Sequence, residues 1–172
     1  IIKLDGSVQV LGGLIAVATT PAPIILTSLA DDAYGGDTNN DGNSTTPQAG
    51  NWGGIHYDTG SIAASNQLSH CRLLYGGGAY AFYNGLWNQT NPPSPVTFSH
   101  TGGTVQDCNI EFAPGYVFEI IGTANPVIQN CTFNLANAPV LMSAFSNPTF
   151  TNNTWNNMNM MALALRGELL ST

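Results

Sequence analysis

The chain repeats itself. The segments "TVQDCNIEF" (104–112), "VIQNCTFNL" (127–135) and "FTNNTWNNM" (150–158) are copies of one pattern, the last quoted from one position further in. Cys108 and Cys131 lie 23 residues apart, and Asn153 follows Cys131 after 22. A further copy, "QLSHCRLLY" (67–75), stands upstream, with Cys71 37 residues before Cys108. The surplus over one period falls in Asn/Pro-rich text, "NGLWNQTNPPSPVTFSH" (84–100), read here as an excursion between repeats. A unit this short cannot bury its own apolar face, so each copy must stack on the next.

The pattern inside a copy says what stacks. Val105, Cys108, Ile110 and Phe112 align with Ile128, Cys131, Phe133 and Leu135, then with Phe150, Asn153 and Trp155. From the Cys onward the apolar residues recur at every second position, which describes a strand with one buried face. Each unit adds another short apolar run: "YVFEIIG" (116–122), "PVLMSAF" (139–145) and "MMALALRG" (160–167). The last is read as a strand by its alignment with the two above it. Only 8% of residues are charged, against about 25% in an ordinary soluble domain. Asn, Thr, Ser and Gly must therefore cover the surface, and these residues favour strands and turns over helices. The Leu-x-x-Leu-x-Leu frame of a leucine-rich repeat is absent. A β-sandwich would not stack one residue type in columns. The expected fold is all-β, a right-handed parallel β-helix with 22–23-residue rungs. It forms a single domain over 1–172, with two loop excursions at about 30–51 and 84–100.

The first excursion carries a resemblance. The text "PIILTSLADDAYGGDTNNDGNSTTPQAGNWGGIHY" (23–57) resembles a segment of secreted or cell-surface bacterial and archaeal proteins of the pectin-lyase-like, right-handed parallel β-helix superfamily. The matching positions are Asp31, Asp32, Tyr34, Gly35, Gly36, Asp37, Asn39, Asp41, Gly42 and Trp52 to Ile55. The resemblance covers nearly the whole chain and implies the fold. It does not choose an activity, because that superfamily mixes lyases, hydrolases, adhesins and surface proteins without known chemistry.

Within the same loop, Asp37-x-Asn39-x-Asp41-Gly42 matches the first half of a calcium loop, with alternate oxygen side chains and a Gly for the turn. Asn43 and Thr45 continue the template, but Gln48 stands where a bidentate Glu belongs. A bound Ca2+ would borrow Asp31 or Asp32. The candidate metal set is Asp31, Asp32, Asp37, Asn39 and Asp41. The alternative is an Asx-turn loop whose side chains cap backbone amides.

A weaker candidate ligand-binding set lies on the outward face beside the Cys column: His70, Arg72, Asp107, Asn109 and Glu111. His70 and Asp107 would stand one rung, about 4.8 Å, apart. Asp107 and Glu111 lie about 13 Å apart along a strand, beyond the ~5.5–9.5 Å of a glycosidase carboxyl pair. No catalytic residue is assigned. The three cysteines are expected as a buried column of free thiols. The aromatics Tyr75, Tyr80, Phe82, Tyr83 and Trp87 read as packing around one rung or as a sugar-stacking platform.

Net charge −7 with three basic residues leaves no basic stripe for nucleic acid, and no apolar run reaches the ~18–20 residues of a spanning helix. The chain begins "IIKLDG" and both ends break within strand-like text, so it reads as a module of a longer extracellular or cell-surface protein. The expected function is structural or adhesive, calcium-stabilised and self-assembling by end-to-end stacking into oligomers or filaments. The alternative is a polysaccharide-binding or polysaccharide-degrading β-helix.

Overall fold

The computed structural model describes residues 1–78 and 94–167. The chain winds in successive coils, the first five laying strands on three faces. The first coil holds β1 (Ile2–Leu4), β2 (Ser7–Val10) and β3 (Leu14–Val17). The second holds β4 (Ile24–Ser28), β5 (Gly54–Tyr57) and β6 (Asn66–Ser69). The third holds β7 (Cys71–Leu74), β8 (Val96–Ser99) and β9 (Thr104–Gln106). In the fourth, β10 (Asn109–Ile121) runs round a corner onto two faces, followed by β11 (Val127–Gln129). The fifth repeats this with β12 (Thr132–Ser143) and β13 (Thr149–Thr151), and the sixth holds β14 (Thr154–Asn156) and β15 (Leu163–Arg166). The one helical element among the described residues is the 3-10 turn Ala63–Ser65.

Every pairing between these strands is parallel. Face A stacks β1, β4, β7, the start of β10, the start of β12 and β14. Face B stacks β2, β5, β8, the ends of β10 and β12, and β15. Face C stacks β3, β6, β9, β11 and β13. The change of period from 23 to 22 has a local cause. Ala113 pairs with Ala136 but Tyr116 pairs with Ala138, so the fourth coil carries one extra residue at Pro114–Gly115. Such a bulge adds a residue to one strand without disturbing register beyond it.

Stacked left-handed residues turn the corners. His70, Asp107, Asn130 and Asn152 hold φ near 53° just before face A. Tyr75, Phe112, Leu135 and Asn157 hold φ of 50–63° just after it. This corrects one expectation. Phe112 and Leu135 continue the apolar alternation in sequence but are corner residues, and Leu135 is 43% exposed. A residue with positive φ bends the strand at a corner, so the period-two rule stops there.

The core is a set of columns. Leu26, Leu73, Ile110 and Phe133 line face A, with Trp155 half-buried beyond them. Ile55, Val96, Phe118 and Val140 line face B, and Leu68, Val105 and Ile128 line face C. Tyr57 stacks on Phe98 with centroids 4.8 Å apart. The second excursion ends earlier than its sequence suggested. Val96–Ser99, read as part of it, is β8, paired with β5 and β10. Val96 and Phe98 are two apart and fully buried, and this short alternation is hard to see behind "NPPSP". Tyr80, Phe82, Tyr83 and Trp87 lie outside the described residues.

Candidate functional site

The first excursion leaves face A after β4 and returns to face B at β5. It folds back over the outer side of face A, so Thr27 and Leu74, which point outward, are buried. Three contacts hold it down. The Thr27 hydroxyl donates to Asp31 Oδ2. The Arg72 guanidinium donates to the Tyr34 hydroxyl at 2.6 Å and lies over that ring at 5.6 Å. Lys3, reaching up from the first coil, donates to the Gly36 carbonyl and stands 3.7 Å from Asp32 Oδ1. At its end, the buried Trp52 indole donates to the Leu74 carbonyl at 2.7 Å.

Within the loop, Asp32, Asp37 and Asp41 each bring a carboxylate oxygen within 4.8 Å of the others. Asp37 accepts the Gly42 amide at 2.9 Å and the Asp41 amide at 3.1 Å. The Gly42 amide above all, with those of Asp41 and Asn40 and the charge of Lys3, holds the Asp37 carboxyl below its ordinary value against a smaller opposing effect of burial. Asp41 Oδ2 accepts the Asn39 side-chain amide at 2.8 Å and the Thr45 hydroxyl at 2.5 Å. That leaves Asp32 Oδ1, Asn39 Oδ1 and Asp41 Oδ1 out of contact with solvent and without a hydrogen bond. Buried oxygens are ordinarily satisfied, and a hard cation takes such oxygens as ligands. Asp31 stands apart. Its carboxylate is buried at the base of the loop, taken up by Thr27 and the Ala33 amide.

The second candidate set is divided by the corner. Arg72 and Asn109 pair in register, as do Leu74 and Glu111. Arg72 and Glu111 form an ion pair at 3.0 Å. His70 and Asp107 are left-handed corner residues outside these strands. The Ser69 hydroxyl lies 3.0 Å from His70 Nδ1. The Tyr75 and Phe112 rings stack at 4.6 Å, so each ring covers a face of the other.

Residues 95–171 match the family model described as a right handed beta helix region. The chain is a right-handed parallel β-helix. No curated protein and no solved structure matches it. The first two coils lie outside the family match, yet they continue the β-helix in register through β4–β7 and β5–β8. Among the described residues no helix is long and apolar enough to cross a membrane.

Two residues of the β-helix escaped sequence reasoning. Lys3 sits in an unremarkable opening strand, and only coil stacking carries it under a loop some thirty residues later. His56 lies on the outer side of face B, in register with Gln9 and Thr97. Its Nε2 donates to the Gly53 carbonyl at 2.8 Å. Burial pushes its pKa down, opposed by the Gly53 contact, Glu119 and Asp58. The unfolded chain therefore takes up the proton first as pH falls. The contribution of His56 is full above about pH 6.5 and is lost as pH drops from there toward the lowered folded value. Denaturant midpoints measured across that window should fall with acid, and His56→Gln should flatten this part of the profile. An unchanged slope in the variant would show that other groups set it.

Proposed function

We propose that this β-helix is a structural and adhesive module of an extracellular or cell-surface protein, with its first excursion pinned by Ca2+. The supporting observation is the loop's oxygen set. Three carboxylates face one ammonium, Lys3, leaving two negative charges that a single divalent ion balances. Asp32, Asn39 and Asp41 each offer an oxygen with no hydrogen bond. Asp37 is the strongest internal cap and adds a carboxylate to the same cluster. These four residues would hold the ion, and Asp31 would anchor the loop beneath it. The fifth and sixth oxygens that a hard cation wants would come from backbone carbonyls or water.

The polar exterior fits such a role. Gln129 donates to Gln106 at 3.2 Å, and Gln106 to Ser69 at 3.3 Å. Asn157 donates to Asn134 at 2.8 Å and Asn152 to Asn130 at 3.4 Å. These amide ladders tie one coil to the next and form a rigid, nearly uncharged wall.

The calcium reading is tested by melting the protein in Ca2+ and in chelator. At a concentration about one hundred times Kd, binding to the folded state alone adds about 2.7 kcal/mol, a rise of roughly 5–10 °C for a chain of this size. Asp41→Asn should remove most of that rise. Equal melting in the two buffers would sink the calcium reading. Self-assembly is read by light scattering. The end coils expose Ile1, Ile2 and Leu11 on one side and Met160, Met161, Leu163 and Leu165 on the other, beside strand edges that invite pairing. A mass that grows with concentration is expected, and a constant monomer mass would count against stacking.

A further inference from the structure

Cys71, Cys108 and Cys131 stack at the corner before face A, each at most 1% exposed and each free. Adjacent cysteines are in step, because the residues after them, Arg72, Asn109 and Thr132, pair directly. The Cys71 amide donates to Cys108 Sγ at 3.4 Å, and the Cys108 amide donates to Cys131 Sγ at 3.4 Å. The column ends on Asn153, whose Oδ1 accepts the Cys131 amide at 2.9 Å. On their other side the thiols donate to carbonyls: Cys71 to Ala16 at 3.3 Å, Cys108 to Gln106 at 3.1 Å and Cys131 to Gln129 at 3.2 Å.

Spacing decides what such a column does. Stacked strands hold equivalent Cα atoms, and with parallel side chains the Cβ atoms, about 4.8 Å apart. A disulfide wants its Cβ atoms within about 3.5–4.5 Å, so bridging would require the coils to close up. At the ~2.3 Å of a zinc–thiolate bond, two sulfurs on opposite sides of one ion stand about 4.6 Å apart, close to the coil spacing. Thiolates select soft ions over hard ones.

We propose that the thiol column binds one two-coordinate, thiophilic divalent ion of the Hg(II) class, between Cys108 and one neighbour. With a divalent ion, two S–H bonds break, two metal–sulfur bonds form and two protons leave to solvent. The product is neutral, which an apolar interior tolerates far better than a charge. Cys108 belongs to both adjacent pairs, so with each sulfur bound terminally to a two-coordinate ion the column holds one ion. Without it, the remaining sulfurs stand two coils, about 9.6 Å, apart.

The test is titration of the native chain with Hg(II), a wash with a small monothiol competitor, and mass spectrometry under native conditions beside a pH-stat. One retained ion per chain and two released protons are expected. Cys71→Ser and Cys131→Ser should each keep one ion, and Cys108→Ser should fall from one to none. Circular dichroism melting should show that the serine variants remain folded. Three retained ions, a Cys108→Ser chain that keeps its ion, or uptake only after unfolding would each overturn the proposal.

Discussion

Phe133→Ala is expected to destabilise the chain by about 3–5 kcal/mol, the usual cost of removing a fully buried phenylalanine. The ring is 0% exposed, with Trp155 at 4.3 Å between centroids and Phe118 at 5.3 Å. Its loss would leave a cavity bounded by two other aromatics from the fourth and sixth coils. Those coils are held in register by strand pairing on both sides, so the gap cannot collapse by sliding. Leu135→Ala, two residues on, provides the contrast, with an expected cost within about 0.5 kcal/mol as for other exposed sites. Urea unfolding of the two variants reads the difference. Similar losses in both would mean that the corner at Leu135 is packed inward after all.

Gly54→Ala should be nearly as damaging. Gly54 opens β5 with φ of +91°, a conformation costing about 1–3 kcal/mol for a residue with a Cβ. That Cβ would also stand 2.5 Å from the Ser94 carbonyl oxygen and 2.8 Å from that of Pro95. Both atoms are backbone and cannot rotate aside. Moving Pro95 would break the Ile55 amide bond to its carbonyl, 2.9 Å long, which aligns β5 with β8. Overpacking adds about 1–3 kcal/mol, for a total of about 2–6 kcal/mol. Gly12→Ala is the control, because nothing lies within 4 Å of the added carbon. A Gly54→Ala chain that melts with the parent would show that the third coil yields at Ser94–Pro95.

The columns were legible because coil stacking repeats a local rule. Ile110, Phe133 and Trp155 occupy one column since each sits two positions after a Cys or Asn. The position of Asn153 followed from the same alignment. It stands where Cys71, Cys108 and Cys131 stand and accepts the amide of the coil before it. The rule failed where backbone geometry changes without a change in residue type. Phe112 and Leu135 are apolar and in phase, and only their left-handed φ turns them into corners. Strand β8 was hidden because two buried side chains, Val96 and Phe98, are too short a signal beside a proline cluster.

The candidate site divides in the same way. Asp37, Asn39, Asp41 and Gly42 lie within six residues, so alternation alone brings their oxygens together. The contribution of Asp32, the ammonium of Lys3 beside it and the withdrawal of Asp31 to the loop base depend on how the excursion folds back over face A. Arg72 shows this most plainly. On its own strand it is a surface cation, and the returning loop supplies Tyr34 while the next coil supplies Glu111. The sequence by itself determined the period, the stacked apolar columns and the local oxygen pattern, because each depends on neighbours at one fixed spacing along the chain. Only the tertiary structure decided which distant residues close the loop site, because an excursion is free of the repeat and its path is set by what it meets on the coils beneath.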